Sequence, residues 1–186
     1  MRRCNFSILS QPDSLAVFEG ILRMSQRRIV MGRRDGRDAI VADAPLDAHP
    51  LAEGGVTTHM VWGRDQDAPV PSDGEQPTVS QGFPGASGFR YAVLTIPAGT
   101  SDAYHEFIGK ALAPFASGDK PGLHWTPTID CIVVTQGELL LEGDEDRTLV
   151  KAGDSVIING NRHRWSNPGP GDAVLHAISI GTDSHD

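Results

Sequence analysis

Apolar and polar residues alternate with a period of two along much of this 186-residue chain from Arg27 onward, the signature of strands with one buried face. Arg27 to Met31 and Asp38 to Ala42 flank Gly32-Arg-Arg-Asp-Gly36, a hairpin signal, and Val56 to Trp62 reads as a third strand. Phe89 to Ile96 resumes β structure and stops at Pro97-Ala-Gly99. Ile129 to Thr135, Glu138 to Glu142, Arg147 to Lys151, Ser155 to Ile158, His163 to Asn167 and Ala173 to Ile180 then follow in close succession, enough strands for a small barrel whose closure removes exposed edges. The period changes twice. Asp13 to Arg28 places Leu15, Phe18 and Leu22 at helical spacing behind an Asp13 or Ser14 cap, weakened by Gly20, and Ala103 to Leu112 suits a short helix just before His124. Residues 63–88, polar and rich in Gly, Pro and Asp, are too long for a tight connection and read as a surface excursion or lid.

Composition supports this picture. The 21 glycines and 13 prolines are scattered without a period, as many short strands joined by turns require. The length suits one domain, set here as residues 27–182 with its densest part at about 88–182, an extension at 1–26 and a tail at 183–186 that contains His185. Met24 is an alternative start. The net charge of -8 is uneven: the first 37 residues hold 8 of the 16 basic residues and 3 of the 24 acidic ones. No aromatic interleaving or reader motif accompanies that basic arm, so nucleic-acid binding is not expected. Cys4 and Cys131 form no CxxC pair or disulfide framework, and no apolar run approaches the roughly 20 residues of a membrane span. A soluble cytoplasmic protein is expected.

Candidate chemistry concentrates in two blocks, His124-x-Thr126-x3-Asp130-x6-Gly137 and Gly153-x9-His163-x3-Asn167. Strand parity puts His124, Thr126, Thr128, Asp130, Ile132 and Val134 on one face, and His163, Trp165 and Asn167 on another. Two imidazoles and a carboxyl group converging on one cavity would offer a ligand set for Zn, Fe(II) or a similar divalent ion. Without metal they remain an acid–base pair or a set of satisfied structural histidines. Trp165 shares the face of His163, as cavity wall or core. His176 and His59 join the site if their strand faces are interior, and otherwise pack in a sheet or dimer face. His105 and Glu106 sit on the helix that can cover the mouth, while Trp125, Cys131, Arg162 and Arg164 have the opposite parity. Gly82 to Gly88 opens no helix and is no phosphate cradle, and Asp144-Glu-Asp146 lacks the spaced oxygens of a calcium loop.

The two blocks resemble the motifs of the cupin superfamily, G-x5-H-x-H-x3,4-E-x6-G and G-x5-P-x-G-x2-H-x3-N, and in particular the single-domain cupin-2 proteins of the H-x-T-x-T-x-D type. The likeness is strong over residues 88–182 and looser over 27–62. Thr126 stands where the family has its second histidine, Asp130 replaces a glutamate, and Asn159 replaces the proline of the second motif. The resemblance implies an all-β cupin fold, a double-stranded β-helix or jelly-roll barrel with N-terminal strands and one or two short helices. It implies His124, Asp130 and His163 as metal ligands and catalytic residues, with one divalent ion (Fe, Mn, Ni or Zn) or none. Thr126, Thr128, Trp165, His176 and His59 are the candidate substrate contacts. The expected activity is that of a lyase, decarboxylase, dehydratase or dioxygenase on a small carboxylated, carbonyl or phenolic metabolite; a metal-free binding protein is the alternative. A homodimer paired through Arg27 to Ala42 completes the expectation.

Overall fold

The computed structural model describes residues 26–183, except 48, 51–54, 76–78, 80–81, 101 and 117–119. The expected helix at Asp13 to Arg28, the Met24 start, Cys4 and His185 lie outside the described residues, apart from Gln26, which has no regular structure, and Arg27 and Arg28, which are strand. The elements in chain order are β1 (Arg27–Arg34), β2 (Arg37–Pro45), β3 (His49–Pro50), β4 (Thr57–Arg64), β5 (Phe89–Ile96), α1 (Asp102–Ala111), β6 (Thr128–Gln136), β7 (Glu138–Glu142), β8 (Arg147–Lys151), β9 (Ser155–Asn159), β10 (Arg164–Ser166) and β11 (Ala173–Gly181).

The first hairpin is tighter than the five-residue connection read from the sequence. Asp35 and Gly36 alone make the turn, with φ of 52° and 74°, the pair of positive angles that a type I′ turn requires. A tip of this kind lets both strands run on through Arg34 and Arg37. The hairpin is a separate two-stranded sheet, anchored on the body where Arg33 N–H donates to Ser72 O (2.9 Å) and the Arg28 guanidinium lies 5.6 Å from the Trp62 ring.

The remaining strands form two open sheets: six strands in the order β3-β4-β5-β11-β6-β9, and three in the order β10-β7-β8. This corrects the expected closed jelly-roll barrel, since among the described residues no sheet closes on itself. The reason lies at the β6–β7 junction. Gly137, at φ +71°, presses against Asp172 and Ala173, and a Cβ there would come within 2.8 Å of the Asp172 carbonyl. The chain turns sharply at this glycine, so β7 leaves the plane of β6 and pairs with β8 and β10 instead. The arrangement is mostly β and cupin-like, with β3, β9, β8 and β10 as edges. Val56, Ile96, Ile132, Val134, Leu139, Val150, Ile158, Ala173 and Leu175 fill the space between the sheets, and Tyr104 of α1 joins them from above.

Candidate functional site

A cavity of about 380 Å³ lies between the six-stranded sheet, β10 and α1. Its floor follows from the strand period: Thr58 and Met60 of β4, Ala92, Leu94 and Ile96 of β5, Asp130 and Ile132 of β6, and Leu175, Ala177 and Ser179 of β11 all point the same way. Its roof is α1, whose apolar stripe supplies Tyr104 and Ile108 at helical spacing, with Leu112 in the turn just after it. Phe83, from the segment read as a surface excursion, borders the cavity and packs edge-on against Phe115, which in turn packs against Trp125.

His124 and His163 lie side by side at one end. Their backbones bridge one another (His163 N–H to His124 O, 2.8 Å; His124 N–H to His163 O, 3.1 Å), and their rings sit 4.6 Å apart at 50°. Each Nδ1 lies 2.9 Å from a backbone carbonyl, Gly122 for His124 and Asn161 for His163. A carbonyl can only accept, so Nδ1 carries the hydrogen in both rings and the neutral tautomer leaves the lone pair on Nε2. Burial, and then the neighbouring His163, lower the pKa of His124 to about 4 against the pull of the Gly122 carbonyl and Asp130. Burial also lowers His163, opposed by the Asn161 carbonyl and Asp130. Both rings are therefore neutral bases at neutral pH.

Behind them runs a buried hydroxyl chain. The Thr126 and Thr128 hydroxyls are 2.7 Å apart, and Thr128 donates to Asp130 Oδ1 at 3.0 Å. The parity read from the sequence thus holds for all three, but Thr126 and Thr128 lie behind the wall, not in it. Trp165 lines the cavity, and Arg164, of opposite parity, borders it while pairing with Glu142 of the neighbouring strand (2.7 Å). Asn167 is structural: its amide donates to Ile96 O and Gly171 O and accepts from Gly169 N–H. His176 and His59 belong elsewhere. They stand in one cross-strand row with Val93 and Val133 on the outer face of the sheet, where His176 Nδ1 meets the Tyr91 hydroxyl at 2.8 Å. They do not border the cavity, which corrects their assignment as substrate contacts. Their strand faces carry apolar residues on both sides, so parity alone gave no direction.

The expected metal centre needs the same correction. The two imidazoles offer Nε2 donors and Asp130 lines the same cavity, but Thr126 supplies only a hydroxyl that is already paired where a further imidazole would stand. Among the described residues no group of three His, Cys, Asp or Glu side chains is placed to hold a metal ion. The residues therefore do not fit the metal that the resemblance implied.

His105 is the polar cavity residue that parity could not find. It is 6 % exposed, and its Nε2 lies 3.1 Å from Trp165 O and 3.2 Å from the Ser166 hydroxyl, which fastens α1 to β10. Its neighbour Tyr104 has a pKa raised to about 12 by burial, so the phenol is neutral.

Residues 112–180, under half of the chain, match the family model described as Cupin domain, a span that contains His124, Asp130 and His163. A protein of Aspergillus oryzae, "Oryzines biosynthesis cluster protein J", is 47% identical over 53 residues, 27% of this chain and 29% of that protein, so the likeness spans under a third of the relative. Among solved structures, the cupin domain of Schizosaccharomyces pombe Cnp3 superposes with a TM-score of 0.47 at 10% identity, covering 84% of this chain and 88% of that one. An RmlC-like cupin from Shewanella frigidimarina gives 0.42 at 13% identity, with 75% and 86% covered. Among the described residues no helix is long and apolar enough to cross a membrane.

Proposed function

We propose that the chain is a cupin-type enzyme in which His124 and His163 carry out acid–base chemistry on a small, mostly apolar, oxygenated organic molecule. The observation that carries this reading is the pair of buried imidazoles, each held by a backbone carbonyl at Nδ1 so that Nε2 is left as a base at the end of an apolar cavity. The rings are close enough that a proton on one disfavours a proton on the other, so the pair holds one proton at a time. In a dehydration, one Nε2 takes the proton from the carbon beside a carbonyl. The electron pair forms the new double bond as the β-hydroxyl departs, and the imidazolium returns its proton to that hydroxyl to give water. Asp130 favours the transient imidazolium. An isomerisation uses the same two transfers with the proton returned to carbon.

The name of the Aspergillus oryzae relative places that protein in a biosynthesis cluster, which supports a biosynthetic intermediate as the substrate. The test is proton exchange in D2O, followed by proton NMR on a panel of β-hydroxy ketones and alkyl phenyl ketones. Protein-dependent exchange should fall by roughly 100-fold or more in both His124→Ala and His163→Ala. Exchange that survives in both variants, or binding without any exchange across the panel, contradicts the enzyme reading; the latter points to a binding protein.

A further inference from the structure

The cross-strand register orders the cavity floor by polarity. Asp130, Ser179 and Arg90 stand in one row across β6, β11 and β5. The next row is Ile132, Ala177, Ala92 and Met60, and the one after it brings Leu175, Leu94 and Thr58, with Ile96 beyond. The polar row lies at the histidine end, because Asp130 acts on both His124 and His163. Arg90 is 3 % exposed and its charge is matched by Asp65, while it also donates to the carbonyls of Arg64 (2.7 Å) and Phe89 (2.9 Å). Ser179 lines the cavity between them, and its hydroxyl forms no hydrogen bond among the described residues. The small residues Ala92 and Ala177 keep the middle of the floor low, where Ile108 of α1 and Leu112 just beyond it form the roof.

A volume of about 380 Å³ admits a guest of about a dozen non-hydrogen atoms at ~30 Å³ each. The polar end offers imidazole lone pairs, a carboxyl group and one hydroxyl, while its guanidinium is already matched, so it receives a hydrogen-bond donor better than an anion.

We propose that the cavity binds an amphipathic molecule of this size, with an uncharged hydroxyl or enol head held by Ser179, Asp130 and the histidines, and a hydrocarbon tail lying over Ala92 and Ala177 towards Leu94 and Leu175 beneath α1. This deepens the reading of the cavity as the substrate site and rests on it. Ser179 then orients the head, and Ala92 and Ala177 set the length of tail that fits.

The test is calorimetric binding of 4-n-alkylphenols of increasing chain length to the full chain. Affinity should rise roughly fourfold per methylene and stop rising at about five or six alkyl carbons. Ala177→Leu, and independently Ala92→Leu on the adjacent strand, should bring that limit down by about three carbons. Ser179→Ala should weaken every phenol by roughly three- to tenfold without moving the limit. The matching 4-n-alkylbenzoates should bind more weakly than the phenols. Affinity that does not depend on tail length, a limit that neither leucine variant moves, or benzoates that bind as tightly as phenols would overturn the proposal. The proton-exchange result stands apart: length-dependent binding with exchange indifferent to both histidines removes the proposed function alone, and the converse removes this inference alone.

Discussion

At the scale of single residues, the site is governed by where protons sit. His124 and His163 are held neutral by burial, with folded pKa values below the ordinary histidine value of 6.5. Between that value and about 4 the unfolded chain binds protons that the folded chain refuses, so stability falls as the pH drops through this window and is unaffected above it. For His124 the loss is on the order of 3 kcal/mol by pH 4. Urea midpoints between pH 4 and 7.5 should show this decline, and His124→Gln should flatten part of it; an unchanged slope in the variant would contradict the assignment. The threonine chain gives a second prediction. Thr128→Val removes the bond to Asp130 and the bond to Thr126, leaving two buried groups without that partner, at a cost of roughly 1–3 kcal/mol by urea denaturation. A change under 0.5 kcal/mol would show that the chain is not coupled to the fold.

At the scale of elements, what was legible in the sequence and what was not divides along physical lines. The alternation of period two located β4 to β11 nearly residue by residue, and the switch to helical spacing located α1 within one residue at each end. Parity also gave the shared face of Thr126, Thr128 and Asp130, because a half-buried strand leaves only two choices. It failed for His59 and His176, whose strands are apolar on both faces, and it was silent on His105, since a helix residue's direction depends on how the helix docks. Closure of the sheets was equally beyond it, because that turns on a backbone bend at Gly137. The docking of α1 yields its own prediction. Gly122 sits at φ +77°, and a Cβ there would lie 3.1 Å from the backbone and Cβ of His105. Gly122→Ala should therefore destabilise the fold by roughly 1–3 kcal/mol and speed proteolysis within residues 102–111, as should His105→Ala by freeing the helix from Trp165 and Ser166. Limited proteolysis followed by mass spectrometry reads both, and protection equal to the wild-type chain would contradict the latch.

At the scale of the whole molecule, an apolar part of the large sheet's outer face, on β6, β9 and β11, is exposed. Ile129, Val133, Ile157, Ile178 and Ile180 are each about two-fifths exposed or more, and so are Ile29, Met31 and Ile40 on the first hairpin. Surfaces of this kind mark contact sites, and a second copy of the chain supplies a matching one. We propose a homodimer in which these faces meet. Light scattering should give twice the mass of 19.9 kDa, and Ile157→Asp with Ile178→Glu should return the monomer; a wild-type monomer at micromolar concentration would refute it. The proposed chemistry requires two neutral imidazoles presenting Nε2 to the cavity, and nitrogen-15 NMR of the histidine rings from pH 4 to 8 tests this directly. At pH 7 the rings of His124 and His163, assigned through their alanine variants, should both be neutral with hydrogen on Nδ1, His124 protonating only towards pH 4 and His163 below the ordinary histidine value of 6.5. A His124 ring already protonated at pH 6, a His163 ring protonating above 6.5, or hydrogen carried on Nε2 would contradict it.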